Sequence, residues 1–146
     1  MKLLFTILSI YLFSFDTLSQ SQKVNIQKKY AAEGYDVVAY HSKRTVKGDL
    51  KYVSNYKKVN YKFYNEQNLK TFKVNPEKYI PEYGGYCAYA MGKDGSYVKI
   101  NPKTYEIRNG KLYLFYNSFG VNTLESWTKE GAEGLRKSAD KYWREK

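Results

Sequence analysis

The chain has 146 residues, a length that suits one domain. Its 25 Lys and Arg outnumber 14 Asp and Glu, giving a formal charge of +11. That excess is scattered, as at Lys28-Lys29 and Lys57-Lys58, rather than gathered on one basic and aromatic face. The pattern argues against a nucleic-acid reader and for weak attraction to anionic surfaces or polymers. A single cysteine, Cys87, excludes an internal disulfide, and with a single histidine, His41, a four-ligand structural zinc site is not expected.

Met1-Lys2 is followed by the apolar run Leu3 to Phe15 and by the small residues Thr17 and Ser19. This pattern predicts a secretory signal over residues 1–19, cleaved after Ser19, and a secreted or periplasmic address. The apolar run is shorter than the ~20 residues that span a bilayer. No later segment is long enough either, so no stable membrane span is expected once the signal is removed. Residues 20–27 are polar, lack an apolar period and read as a flexible lead-in. The domain itself is expected over residues 28–146.

Tyr35 to Tyr40 predicts a short strand, with Asp36 tying the turn at its start. Lys47-Gly48-Asp49 marks a reversal. Tyr52 to Lys57 and Asn60 to Tyr64 read as two strands with a turn near Lys58-Val59; in the second, Tyr61 and Phe63 alternate with Lys62 and Tyr64. Asn65 suits the N-cap of a helix carrying Leu69 and Phe72, which Pro76 should stop. Gly84-Gly85 permits backbone angles that a side chain forbids, or a close approach by another group. Tyr86 to Met91 fits either strand or helix by its spacing. Lys93-Asp94-Gly95 reads as a turn and Tyr97 to Ile100 as a short strand. Tyr105 to Arg108 and Lys111 to Tyr116, joined by Asn109-Gly110, predict a type I′ hairpin. Phe119 to Lys129 and Ala132 to Trp143 read as helices parted by Gly131, the last docking through Leu135, Ala139 and Tyr142 or Trp143. The sum is an α+β fold, a small antiparallel sheet of hairpins with interspersed and C-terminal helices.

The chemistry concentrates between Asn75 and Met91. That segment holds Cys87, Met91, four tyrosines, two of the three prolines and the Gly-Gly pair. Cys87, His41 and Met91 are the candidate metal ligands, since thiolate and thioether favour Cu(I) and imidazole suits copper, zinc and nickel. Cys87 and Met91 are four apart and share a face if their segment is helical. Against this stand a Cys87 that is a buried, inert residue, a free thiol or an intermolecular bridge, and a His41 that is an exposed turn residue. A second candidate site is a ligand surface formed by Tyr40, Tyr83, Gly84, Gly85, Tyr86 and Tyr89, because tyrosine joins an apolar face to a hydroxyl. The same tyrosines serve equally well as core with their hydroxyls bonded to backbone. No nucleophile elbow, dinucleotide fingerprint or paired acid and base is present, so no enzyme activity is expected.

Several separated pieces resemble the YHS-domain family, in particular its small secreted bacterial branch. They are Gly34-Tyr35-Asp36-Val37-Val38-Ala39-Tyr40, Val46-Lys47-Gly48, and Asn75-Pro76-Glu77-Lys78-Tyr79 with Tyr83-Gly84-Gly85-Tyr86-Cys87-Ala88-Tyr89-Ala90. Gly110-Lys111-Leu112-Tyr113-Leu114 with Tyr116-Asn117, and Ala139-Asp140 through Trp143, complete the set. The resemblance runs from about Lys28 to Trp143. It implies a binding module for a transition-metal ion such as copper, with metal-handling proteins as partners. The metal-handling version carries paired cysteines where this chain has Cys87 alone, so a multi-thiolate site within one chain is excluded. The alternative is a non-metal small-molecule or protein interaction domain using the tyrosine-lined surface around Gly84-Gly85.

Overall fold

The computed structural model describes residues 23–146; the secretory signal expected over residues 1–19 lies outside them. In chain order, β1 (Ile26–Gln27) and β2 (Tyr30–Ala31) form a small hairpin, and β3 (Asp49–Tyr56) pairs with β4 (Val59–Phe63). Two helices follow, α1 (Glu66–Val74) and α2 (Ala88–Asp94). Then come β5 (Asn101–Arg108) and β6 (Lys111–Phe115), β7 (Asn117–Ser118) and β8 (Val121–Asn122), and the helices α3 (Thr123–Glu130) and α4 (Ala132–Arg144). The expected sheet of hairpins is thus four two-stranded antiparallel ladders, and the fold class is α+β. Among the described residues no helix is long and apolar enough to cross a membrane.

Local chemistry explains most of these elements. Asn65 caps α1, its side chain accepting from the Asn68 amide at 2.8 Å, and Pro76 ends that helix by opening a short 3₁₀ turn. Asn109 and Gly110 both hold positive φ (50° and 74°), the condition for the type I′ turn between β5 and β6. The segment left open between strand and helix is extended at Tyr86 and helical from Ala88, with Cys87 at the boundary.

Four expectations change, the first being the reversal at Lys47-Gly48-Asp49, where the chain instead runs on extended, Lys47 bridging to Tyr35 and Asp49 opening β3. Tyr35 to Tyr40 is not a strand, because the Asp36 carboxylate captures the backbone donors a ladder would need. Its Oδ1 accepts from the Val38 and Ala39 amides at 2.9 and 3.1 Å, and Ala39–Ser42 curls into a 3₁₀ turn. Its Oδ2 accepts from the Tyr64 amide and Asn68 Nδ2 at 2.8 and 2.7 Å, fastening that turn to the end of β4 and to α1. Tyr97 to Ile100 also forms no strand; its Val98 carbonyl instead accepts from the Cys87 amide at 2.9 Å. Finally, the helix expected from Phe119 starts only at Thr123, with Asn122 as its cap, since residues 117–122 form the β7–β8 hairpin.

The interior has two parts, and β6 serves both. Leu112 and Leu114 pack with Val37, Tyr40, Phe63, Phe72 and Cys87. Tyr113 and Phe115, on the other face of the same strand, pack with Tyr83, Met91, Trp127 and Ala139. A strand alternates faces every residue, so a strand covered on both sides reads as an unbroken apolar run. Each of these large side chains contributes roughly 1.5–3 kcal/mol by its burial. Trp127 is fully buried yet satisfied, its Nε1 donating to Glu106 Oε2 at 3.0 Å. Asn25, inside the stretch read as a flexible lead-in, is buried, and its amide donates to the Gly84 carbonyl at 2.8 Å.

Candidate functional site

The three candidate metal ligands do not assemble. Cys87 is fully buried at the junction of the extended segment and α2. Its sulfur accepts from the Tyr116 amide at 3.4 Å and lies 3.3 Å from Thr123 Oγ1. The Thr123 hydroxyl in turn donates to the Tyr116 carbonyl at 2.8 Å. A hydroxyl has one proton and a carbonyl can only accept, so the thiol must be the donor to Thr123. The result is a closed ring, Tyr116 N–H to sulfur, S–H to Thr123, and O–H back to Tyr116. Met91 starts one turn further on and is fully buried in the other half of the core, among Tyr83, Phe115 and Trp127. His41 stands half-buried in the 3₁₀ turn, edge-on to Tyr79 with ring centres 5.0 Å apart. Burial and the nearby Lys78 ammonium both hold the His41 pKa below its ordinary value. Among the described residues no three His, Cys, Asp or Glu side chains come together to hold an ion. Copper needs a deprotonated, reachable sulfur, and the residues present do not fit it.

The six residues expected to form a tyrosine-lined surface separate as well. Tyr40 is fully buried, its hydroxyl donating to the Pro102 carbonyl at 2.5 Å. Tyr83 is 2% exposed and donates to Asp140 Oδ1 at 2.9 Å. Desolvation drives both phenols well above the ordinary tyrosine range, so both stay protonated donors. Gly84 and Gly85 do admit a close approach, but the visitor is the chain itself. Asn25 donates its amide to the Gly84 carbonyl and its Nδ2 to the Gly85 carbonyl, at 2.8 and 3.0 Å. A Cβ at Gly84 would fall 2.2 Å from the Lys23 carbonyl oxygen, so only glycine fits there. Tyr86 is half-buried against Tyr97, and Tyr89 binds Glu130 Oε1 at 2.7 Å.

A different concavity gathers side chains suited to a ligand. It is an open groove of about 630 Å³ between the β1–β2 hairpin and the segment around Lys99 to Lys103. Lys28, Lys47, Lys62, Lys99 and Lys103 line it, with Glu33 the one carboxylate on the wall. Tyr30 and Tyr116 supply aromatic surface, and Asn101, Asn117 and Ser118 supply neutral polar groups. Two of the lysines are steadied by ring faces. Lys62 Nζ stands 4.6 Å from the Tyr30 centroid and Lys47 Nζ 5.9 Å from that of Tyr35. None of the five forms an ion pair with a carboxylate among the described residues, whereas Lys57, Lys70, Lys93 and Lys111 all do. The volume lies within the ~300–1,000 Å³ usual for small-ligand clefts.

Sequence reasoning missed this groove because its lysines lie far apart along the chain. One signal was nonetheless present. Gly34 and Val46-Lys47-Gly48 belong to the pieces singled out for the resemblance, and both flank the groove. The even scatter of lysine also hid the fact that several lack acidic neighbours in space. No family model, no characterised protein and no solved structure matches this chain, so its reading rests on its own residues.

Proposed function

We propose that this is a secreted binding domain of the YHS kind whose ligand is a small anion-bearing molecule, held in the lysine- and tyrosine-lined groove. The observation that carries this reading is the set of five ammonium groups without carboxylate partners around one concavity. Cations left unpaired beside low-dielectric aromatic walls focus a positive potential there and draw in anions. The tyrosine faces offer apolar contact to a flat or ring-shaped body, such as a sugar, while the ammonium groups meet its phosphate or carboxylate. The neutral polar groups of Asn101, Asn117 and Ser118 are available to hydroxyls.

The reading is tested by calorimetric titration with glucose 6-phosphate, glucuronate and glucose. The two anions are expected to bind, more weakly as salt rises, and neutral glucose to bind far less. Replacing both Lys62 and Lys47 by Gln should lower affinity for glucose 6-phosphate by about tenfold or more, on the ~1.5–3 kcal/mol scale of charge-assisted hydrogen bonds. Equal binding of glucose and its phosphate, or no effect of the double substitution, overturns it.

A further inference from the structure

The β7–β8 hairpin leaves the groove directly, since Asn117 and Ser118 line its wall and the next two residues form the hairpin tip. That tip is Phe119-Gly120, with φ of 50° and 77°. The same turn geometry occurs at Asn109-Gly110, with φ of 50° and 74°. Asparagine tolerates left-handed backbone; phenylalanine does so at a cost. No packing repays that cost, because Phe119 is 98% exposed. Val121, the next side chain after Gly120, is 52% exposed. A strained, uncovered aromatic at the end of a short hairpin has no role in holding this fold together.

We infer that the hairpin tip and the groove act together to dock the domain on an anionic lipid bilayer, Phe119 and Val121 entering the interface while the groove lysines meet the headgroup anions. The inference rests on the groove being an anion site. Charge complementarity selects this occupant: the chain carries +11, and the apolar tip is contiguous with the wall that holds five unpaired lysines. Interfacial binding of this type adds the burial of a few apolar side chains to attraction by anionic headgroups, and neither alone holds firmly. A soluble sugar phosphate would use the groove and leave Phe119 untouched, so Phe119 is the residue that separates the two levels of the proposal.

The test is co-sedimentation of the full mature chain with vesicles of phosphatidylserine and phosphatidylcholine, against vesicles of phosphatidylcholine alone. Binding to the anionic vesicles, weakened by salt, is expected. Phe119→Asn installs the better turn residue, so its urea midpoint should equal or exceed that of the wild type, while its vesicle affinity falls about tenfold, the scale for removing one buried aromatic from an apolar phase. Its affinity for glucose 6-phosphate should not change. As a second readout, Phe119→Cys gives one accessible thiol, because Cys87 is buried. A polarity-sensitive dye placed there should shift to the blue on adding anionic vesicles and not on adding neutral ones. Capture of glucose 6-phosphate without vesicle binding, or vesicle binding indifferent to Phe119→Asn, overturns the docking inference and leaves the groove reading standing. Vesicle binding that depends on Phe119 but survives Lys47→Gln with Lys62→Gln overturns the shared role of the groove.

Discussion

Lys62 reaches its place over the Tyr30 ring, 4.6 Å from the centroid, by running past Gly34, where a Cβ would lie 2.7 Å from Lys62 Cε. Gly34 also has φ of 79°, a region that other residues enter with strain. One glycine therefore serves both the backbone of its turn and the aim of a groove lysine. Gly34→Ala should cost roughly 1 kcal/mol of stability from the backbone alone. It should also weaken capture of glucose 6-phosphate to nearly the level of Lys62→Gln. Urea unfolding and calorimetry check the two halves separately, and an Ala variant with unchanged affinity would show that Lys62 does not act from this position.

Asp36 is the structural centre of the turn that carries His41. Its four hydrogen bonds come from Val38, Ala39, Tyr64 and Asn68, and it is fully buried. Asp36→Ala orphans all of these donors and should destabilise by about 3–5 kcal/mol, the range for removing one member of a buried polar set. Asp36→Asn should lose less but still be destabilised, because one amide hydrogen pair must face a backbone or Asn68 donor. Chemical denaturation of both variants measures this order.

The thiol ring around Cys87 makes its own forecast. A sulfur enclosed by Tyr116 and Thr123 should be inert to a disulfide reagent in the native protein and react fully in denaturant. Reaction should follow the unfolding rate rather than reagent concentration. Titration with Cu(I) should leave the native chain unloaded and match the thiol only after unfolding. Rapid native labelling, or stoichiometric Cu(I) uptake lost in Cys87→Ser, would restore the metal reading. Thr123→Val removes the acceptor of the S–H and the donor to the Tyr116 carbonyl without opening space, so it should lower the urea midpoint while the native thiol stays unreactive.

His41 predicts a sloping pH dependence near neutrality. Burial first, and then Lys78, lower its pKa in the folded state. The unfolded chain therefore binds the proton first as pH falls through the ordinary value of ~6.5. Stability from neutral His41 is fully present above that value and declines as acid is added, until the folded-state pKa is reached. Urea midpoints should fall between about pH 7.5 and about pH 5.5. His41→Phe should flatten this part of the curve, keeping the edge-on contact with Tyr79. The carboxylates of Glu77, Glu130 and Glu133 are held below their ordinary value by Lys57, Lys93 and Arg136, so what they contribute is present at neutral pH and is lost only as the solution becomes more acidic still.

Elements fixed by neighbours in sequence were legible. Asn65 capped α1, Pro76 ended it, Asn109-Gly110 turned the β5–β6 hairpin, and α4 docked through Leu135, Ala139 and Trp143. Elements decided by distant partners were not. The strand expected at Tyr35 to Tyr40 was undone by a carboxylate that draws donors from residues 64 and 68 as well as from its own turn. The tyrosines near Gly84-Gly85 resembled a ligand surface until Tyr83 found Asp140 and the glycines found Asn25. The helix expected over Phe119 to Lys129 lost its first turn, since the positive φ of Phe119 at a hairpin tip is a property of the pairing of residues 117–122. The groove was the hardest to foresee, since lysines 28, 47, 62, 99 and 103 share no period and meet only in three dimensions.

Tyr97 lies between the two ends of the described chain, with Lys23 Nζ 4.8 Å and Lys146 Nζ 4.4 Å from its centroid. A short glycine-serine bridge could therefore connect those ends, and the backbone could be cut between the exposed residues Asn109 and Gly110 instead. Such a circular permutant would keep the lysine groove and the Phe119 tip in place. It would put new termini at a turn that the groove does not use, a convenient point for attaching the domain to a surface or a reporter.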